Sequence, residues 1–227
     1  MRELFLIADI GGYTRFMRGQ AQALAHAQVV VAKLLEALLE ASTPFTVEKL
    51  EGDAVFLRLP WPEQDPQPGL FPAVEAMHGA FTARQAAMEA ARTCNCDSCS
   101  QMHALRVKFA AHAGEAARQK IGPFTELAGM DVILVHRMLK NKVPAQEYLL
   151  GTEPVLPLLG GAPPGLRLDH DFEGVGPTAA YYRELPAARP HHGHSPLPLK
   201  IAARGILELK GLLYRLGLRT AISIKQS

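Results

Sequence analysis

The chain has 227 residues, 48% of them hydrophobic and 20% charged, which suits one substantial core plus a tail and excludes disorder throughout. Its formal net charge of +2 conceals an asymmetry: from residue 199 onward Lys200, Arg204, Lys210, Arg215, Arg219 and Lys225 face a single acid, Glu208, and the remainder is net acidic. A net acidic body lacks the broad positive field that nucleic acids require, so no nucleic-acid partner is expected.

No apolar run reaches the roughly 18–20 residues of a membrane span, and the first residues read as a strand and not as a basic leader. A cytoplasmic protein is expected. The three cysteines, Cys94, Cys96 and Cys99, are too close together for a long-range disulfide framework and point to a cluster of reduced thiols.

Leu4 to Ile10 is a short apolar run closed by Gly11-Gly12, the pattern of a buried strand ending in a turn. From about Ala21 to Ala41 the sequence lacks Gly and Pro and repeats its apolar residues at helical spacing, which predicts a long amphipathic helix. Phe45 to Leu50 and Ala54 to Leu59 read as a hairpin around Glu51-Gly52-Asp53. Pro60 to Pro72 is proline-rich and reads as a surface loop, and Ala73 to Arg92 resumes helical composition.

Leu105 to Ala113 is the next expected strand, followed by a polar connection and a short helix over Gly129 to Lys140 with cations at its end. Tyr148-Leu149-Leu150 and then Leu166 to Phe172 with Thr178 to Arg183 complete the strands. The order implies helices packed on a mostly antiparallel sheet, a ferredoxin-like α+β core over residues 1–185. Residues 186–198, with Pro186, Pro190, Pro196, Pro198, His191, His192 and His194, read as a linker, and 199–227 as a basic amphipathic helix and tail. Residues 199–218 suit either packing on the protein itself or peripheral contact with an anionic membrane, since amphipathicity does not choose between them.

Two carboxylates attract attention. Asp9 ends the first expected strand and Asp53 sits at the hairpin tip, so separate elements can bring them together. Paired carboxylate oxygens suit a hard cation such as Mg²⁺ with substrate phosphates, although Asp also serves turns and caps in its own right.

The wording around these acids resembles class III adenylate and guanylate cyclases. Leu6-Ile7-Ala8-Asp9-Ile10-Gly11-Gly12-Tyr13-Thr14 resembles the first metal motif and Lys49-Leu50-Glu51-Gly52-Asp53 the second. Phe109 to Glu115 resembles the central strand and turn, Gly129 to Met138 the helix with the catalytic arginine, and Glu173 to Tyr182 the closing hairpin. The five matches keep the family's order over about residues 4–184. A bacterial group of cyclase-like proteins with a central cysteine cluster looks closer still.

The resemblance implies a ferredoxin-like cyclase core, a two-metal site with Mg²⁺ or Mn²⁺, and a nucleoside triphosphate as ligand. Metal binding is implied for Asp9, Ile10 and Asp53. Nucleotide contact is implied for Gly11, Gly12, Tyr13 and Thr14, adenine recognition for Lys49 with Glu126, and transition-state stabilisation for Arg137. Cyclase sites form between two subunits, so a twofold homodimer is implied. Two departures stand out: Ile133 replaces the family's ribose-orienting asparagine, and Glu173 and Val175 stand where a triphosphate-binding lysine is usual. Loss of one oriented donor costs about 10²–10³ in rate, so weak cyclisation or a catalytically silent sensor or scaffold follows.

Cys94, Cys96, Cys99 and His103 offer three thiols and one imidazole, the number that a closed zinc site uses. Reduced cysteines in a loop after a helix fit the same spacing. His112 and His136 fall inside predicted elements, where a histidine satisfied by its neighbours is expected and not a ligand.

Overall fold

The computed structural model describes residues 2–18, 24–61, 70–92, 96–159 and 165–186. Its first elements are β1 (Arg2–Gly11), α1 (Tyr13–Met17), α2 (Leu24–Glu40), β2 (Thr46–Glu51), β3 (Ala54–Pro60), α3 (Leu70–Ala90) and α4 (Asp97–Gln101). A 3-10 turn, Met102–Ala104, leads to β4 (Arg106–Glu115), β5 (Ala117–Ile121), β6 (Phe124–Ala128) and α5 (Met130–Arg137). Then come β7 (Tyr148–Thr152), a second 3-10 segment over Glu153–Leu158, β8 (Leu166–Phe172) and β9 (Gly176–Glu184).

Seven strands form one sheet in the order β2-β3-β1-β4-β7-β9-β8. Every neighbouring pair is antiparallel except β4 with β7. β1 lies inside the sheet, and its residues Leu4 to Ala8 are all buried without alternation. Such a continuous apolar run marks a strand covered on both faces. The architecture is the expected α+β fold with a mostly antiparallel sheet.

By contacts the chain divides into two units. The first holds β1, residues 35–82 and 106–188, and so the whole seven-stranded sheet with α5. Its core joins Phe5, Ile7, Phe56 and Ala110 of the sheet to Val132, Val135 and Met138 of the α5 segment. Each fully buried Phe, Ile, Val or Met side chain among them contributes about 1.5–3 kcal/mol. On the α3 side of this unit, the Arg183 guanidinium lies over the Phe71 ring at 4.4 Å. The second unit includes residues 12–34 and 83–105. There Gln85, buried, donates through Nε2 to the Met102 and Leu105 carbonyls at 2.8 and 2.9 Å and so fixes the turn that follows α4.

The structure departs from expectation in several places. The connection after β4 is a two-stranded sheet of β5 and β6 turned at Gly122, whose φ is 59°. Every residue of β5 is exposed, so it has no apolar alternation for a sequence reading to detect. Helix α3 begins at Leu70, inside the expected loop, and Pro72 falls in its first turn, where a missing N–H costs nothing. Helix α5 ends at Arg137 and not at Lys140, because Lys140 N–H turns back to the Arg137 carbonyl at 2.9 Å. The expected terminal helix and all of the linker beyond Pro186 lie outside the described residues.

Candidate metal and nucleotide site

Asp9 stands near the end of β1 in register with Ala54, the residue after Asp53. The Ile10 N–H donates to the Asp53 carbonyl at 3.0 Å, which fastens the hairpin turn to the strand end and sets the two acids side by side. Gly52 makes this turn with a φ of 69°, a conformation that side chains disfavour, although nothing crowds its Cβ direction. The Asp53 carboxyl is held above its ordinary value by burial first and by the Asp9 charge second. Two oxygens groups that repel in this way form a donor set that a divalent cation suits.

A cation from the protein is already present. Lys108 on β4 lies opposite Asp9 in the strand register, and its Nζ is 3.2 Å from Asp9 Oδ2. The same ammonium donates to the Leu139 carbonyl at 3.0 Å and partly offsets the rise at Asp53. Lys108 was missed by the sequence reading, and the available signal was one charged residue inside the apolar run Val107 to Ala113.

Lys49 and Glu126 come together as well. Lys49 Nζ is 3.2 Å from Glu126 Oε2 and 3.2 Å from Glu51 Oε1. Burial works against the Lys49 ammonium, but the bonds to Glu126 and Glu51 outweigh it and hold the group above its ordinary value. Glu51 in turn meets His136 Nε2 at 2.9 Å, while His136 Nδ1 donates to the Val132 carbonyl at 2.7 Å. The His136 ring also stands edge-on to Phe56, with centroids 4.9 Å apart.

Arg137, in the last turn of α5, donates to Glu173 Oε2 at 2.6 Å. Ile133, one turn earlier, is 45% exposed and gives that surface an apolar side chain with no donor. His112 is buried between Thr152 Oγ1 at 2.6 Å and Asp131 Oδ1 at 3.0 Å. Asp131 also accepts the Glu115 N–H at 2.6 Å, and a Cβ at Gly114 would collide with its carboxylate. His112 and Asp131 therefore brace α5 against β4.

Gly12, Tyr13 and Thr14 belong to the second unit, where Gly12 caps α1 with a φ of 88° and accepts the Phe16 N–H at 2.9 Å. Of the predicted thiol ligands, Cys94 lies outside the described residues. Cys96 and Cys99 come together with His26 of α2, their ligand atoms all within 4.8 Å of one another. His103 is exposed on the 3-10 turn and is not in this group, so His26 takes the place that the sequence assigned to it. Spacing could not find His26, because it precedes Cys96 by 70 residues.

The fold is that of class III adenylyl and guanylyl cyclase catalytic domains. The adenylyl cyclase CyaB from P. aeruginosa superposes with a TM-score of 0.56 at 15% identity, covering 83% of this chain and 96% of that one. A bacterial light-regulated adenylyl cyclase gives 0.62 at 14% identity over 91% of this chain and 57% of its own length. The guanylyl cyclase Cya2 gives 0.54 at 13% identity, covering 85% and 95%. At these identities the likeness is one of fold.

The chain belongs to the family described as "Protein of unknown function (DUF2652)", whose model matches residues 31–148. It is 38% identical over 205 residues to "Uncharacterized protein Rv2561/Rv2562" of Mycobacterium tuberculosis (strain ATCC 25618 / H37Rv), covering 84% of this chain and 91% of that protein.

Proposed function

We propose that this protein is a cyclase-like, metal-dependent binder of nucleoside triphosphates, with ATP as the preferred ligand and weak conversion to cyclic AMP and pyrophosphate. The observation that carries the reading is the juxtaposition of Asp9 and Asp53, joined by the bond from Ile10 N–H to the Asp53 carbonyl at 3.0 Å. In this reading Asp9, Asp53 and the Ile10 backbone hold Mg²⁺ or Mn²⁺. When bound, the ions supply positive charge to the α-phosphate and acidify the ribose 3′-hydroxyl. Lys49 and Glu126 read the adenine edge, Gly11 lies along the phosphates, and Arg137 neutralises charge that develops as pyrophosphate departs.

A homodimer belongs to the same reading, because the cyclase resemblance draws the metal ligands from one chain and Lys49, Glu126 and Arg137 from the other. Exposed Ile121 and Phe124 on the β5–β6 hairpin support it as apolar surface that a second copy can cover. A second reading, a silent cyclase-like sensor or scaffold, is favoured by Glu173 holding Arg137 at 2.6 Å and by Ile133 in the asparagine position. No described helix is long and apolar enough to cross a membrane. Peripheral contact through residues 199–218 rests on their basic amphipathic sequence.

The test incubates the purified full chain with ATP or GTP and Mn²⁺ or Mg²⁺, and measures cyclic product and nucleotide binding beside Asp9→Asn and Asp53→Asn. Metal-dependent binding lost in both variants supports the reading, and cyclic product decides for catalysis over the silent alternative. Binding or product that survives both substitutions overturns it.

A further inference from the structure

His26, Cys96 and Cys99 form a cluster in the second unit that takes no part in the proposed nucleotide chemistry. Two parts of the fold bring it together. Cys96 begins α4 and Cys99 sits in the same helix, so a C-x-x-C pair is folded into one tight turn, closed by the Ser100 N–H to the Cys96 carbonyl at 2.9 Å. Arg92 donates to the Cys99 carbonyl at 3.3 Å, fixing the backbone beneath the second thiol. His26 approaches from the first turn of α2.

The Cys96 side chain makes no capping bond to α4, and its Sγ lies 3.6 Å from His26 Nδ1. A tetrahedral ion with Zn–S of about 2.3 Å and Zn–N of about 2.1 Å sets a sulfur and a nitrogen ligand about 3.6 Å apart, and two sulfurs about 3.8 Å apart. The three ligand atoms lie within 4.8 Å of one another, so roughly 1 Å of side-chain adjustment completes the geometry. All three residues are half-buried, open enough for ion entry yet shielded enough to hold it.

We propose that His26 Nδ1, Cys96 Sγ and Cys99 Sγ bind one soft divalent cation, zinc by its ligand chemistry, in a site whose imidazole comes from α2. Two thiolates and a neutral imidazole favour zinc over the hard cations suited to Asp9 and Asp53. Binding converts two thiols to thiolates and releases their protons to solvent. The bound ion ties the start of α2 to the α4 turn, a cross-link that exists only in the folded unit.

The test uses the full chain, purified under reducing conditions and stripped of metal, titrated with Zn²⁺ alone and with Co²⁺ as an optical probe. Expected results are one ion per chain, a thiolate-to-cobalt charge-transfer band and protection of two thiols from alkylation. His26→Gln and Cys99→Ser each weaken binding by about tenfold or more, whereas His103→Gln leaves it unchanged. Circular dichroism of each metal-free variant separates lost ligation from lost folding, and the wild-type stoichiometry needs no variant. Absence of stoichiometric uptake, binding indifferent to His26→Gln, or thiols that remain fully reactive in excess Zn²⁺ overturns the proposal.

Discussion

Lys108 Nζ lies 3.2 Å from Asp9 Oδ2, on a strand that pairs directly with β1. A protein ammonium thus stands against one of two carboxylates suited to a divalent ion. Lys108→Met is expected to lower the melting temperature of the metal-free protein and to raise Mn²⁺ affinity about tenfold, because the competing charge is gone. Calorimetric titration with Mn²⁺ checks this; unchanged or weaker affinity in the variant shows that the ammonium does not compete.

Asp53 has its pKa raised by burial and then by Asp9, so its charged form opposes folding. Its favourable contribution is complete below the ordinary carboxylate range, where it is protonated, and is lost as pH rises through the raised value. Asp53→Asn should therefore stabilise the metal-free protein at neutral pH, by about 2–4 °C per kcal/mol relieved, with the gain vanishing in acid. Thermal melts across pH decide this, and a gain that persists in acid would mean the relief is not electrostatic.

Glu173 holds Arg137 in an ion pair whose acid is 78% exposed. Exposed pairs contribute about 0–1 kcal/mol, so Glu173→Gln is expected to leave stability nearly unchanged. The same substitution releases a guanidinium for a polyanionic ligand and is expected to tighten ATP binding several-fold in Mn²⁺. Parallel melts and nucleotide titrations test both halves, and a large stability loss with no change in affinity would assign the pair to architecture.

His78 and Glu147 form a buried contact, with His78 Nε2 3.5 Å from Glu147 Oε1 and no hydrogen bond made by either atom. Burial raises the Glu147 carboxyl, but His78, the Val107 N–H and the Arg106 charge together more than offset that and the net shift is downward. Its stabilisation is present above the ordinary carboxylate range and is lost as pH falls through the lowered value. Glu147→Gln should cost about 1–3 kcal/mol at neutral pH, the penalty for removing one partner of a buried polar pair, and flatten the acid limb of the stability curve. Denaturant titrations from neutral to acid pH provide the measurement.

The parts of the fold legible in the sequence were those with a dense local signal. β1 announces itself as Leu4 to Ile10, and Asp9 and Asp53 are recognisable because the first closes that run two residues before Gly11 and the second follows Gly52 at a hairpin tip. β5 left no trace because all five residues face solvent, so neither alternation nor an apolar run marks it. The roles of Lys108 and His26 were hidden for a different reason. Their importance lies in which residues they meet, Asp9 across a strand pair and Cys96 across 70 positions, and those meetings depend on tertiary packing. Glu173 was noticed as a departure, but only the folded turn between β8 and β9 reveals that it is Arg137's counterion.

The charged residues on the first unit have settled accounts among themselves: Asp9 with Lys108, Lys49 with Glu126 and Glu51, Arg137 with Glu173. An incoming polyanion and its ions would meet a surface of mutually quenched dipoles, and docking there is a swap of counterions. In a swap the old contacts subtract from the new ones, so affinity is governed by the difference between two sets of similar bonds. If the proposed nucleotide docks there, geometry and not overall charge would discriminate among ligands.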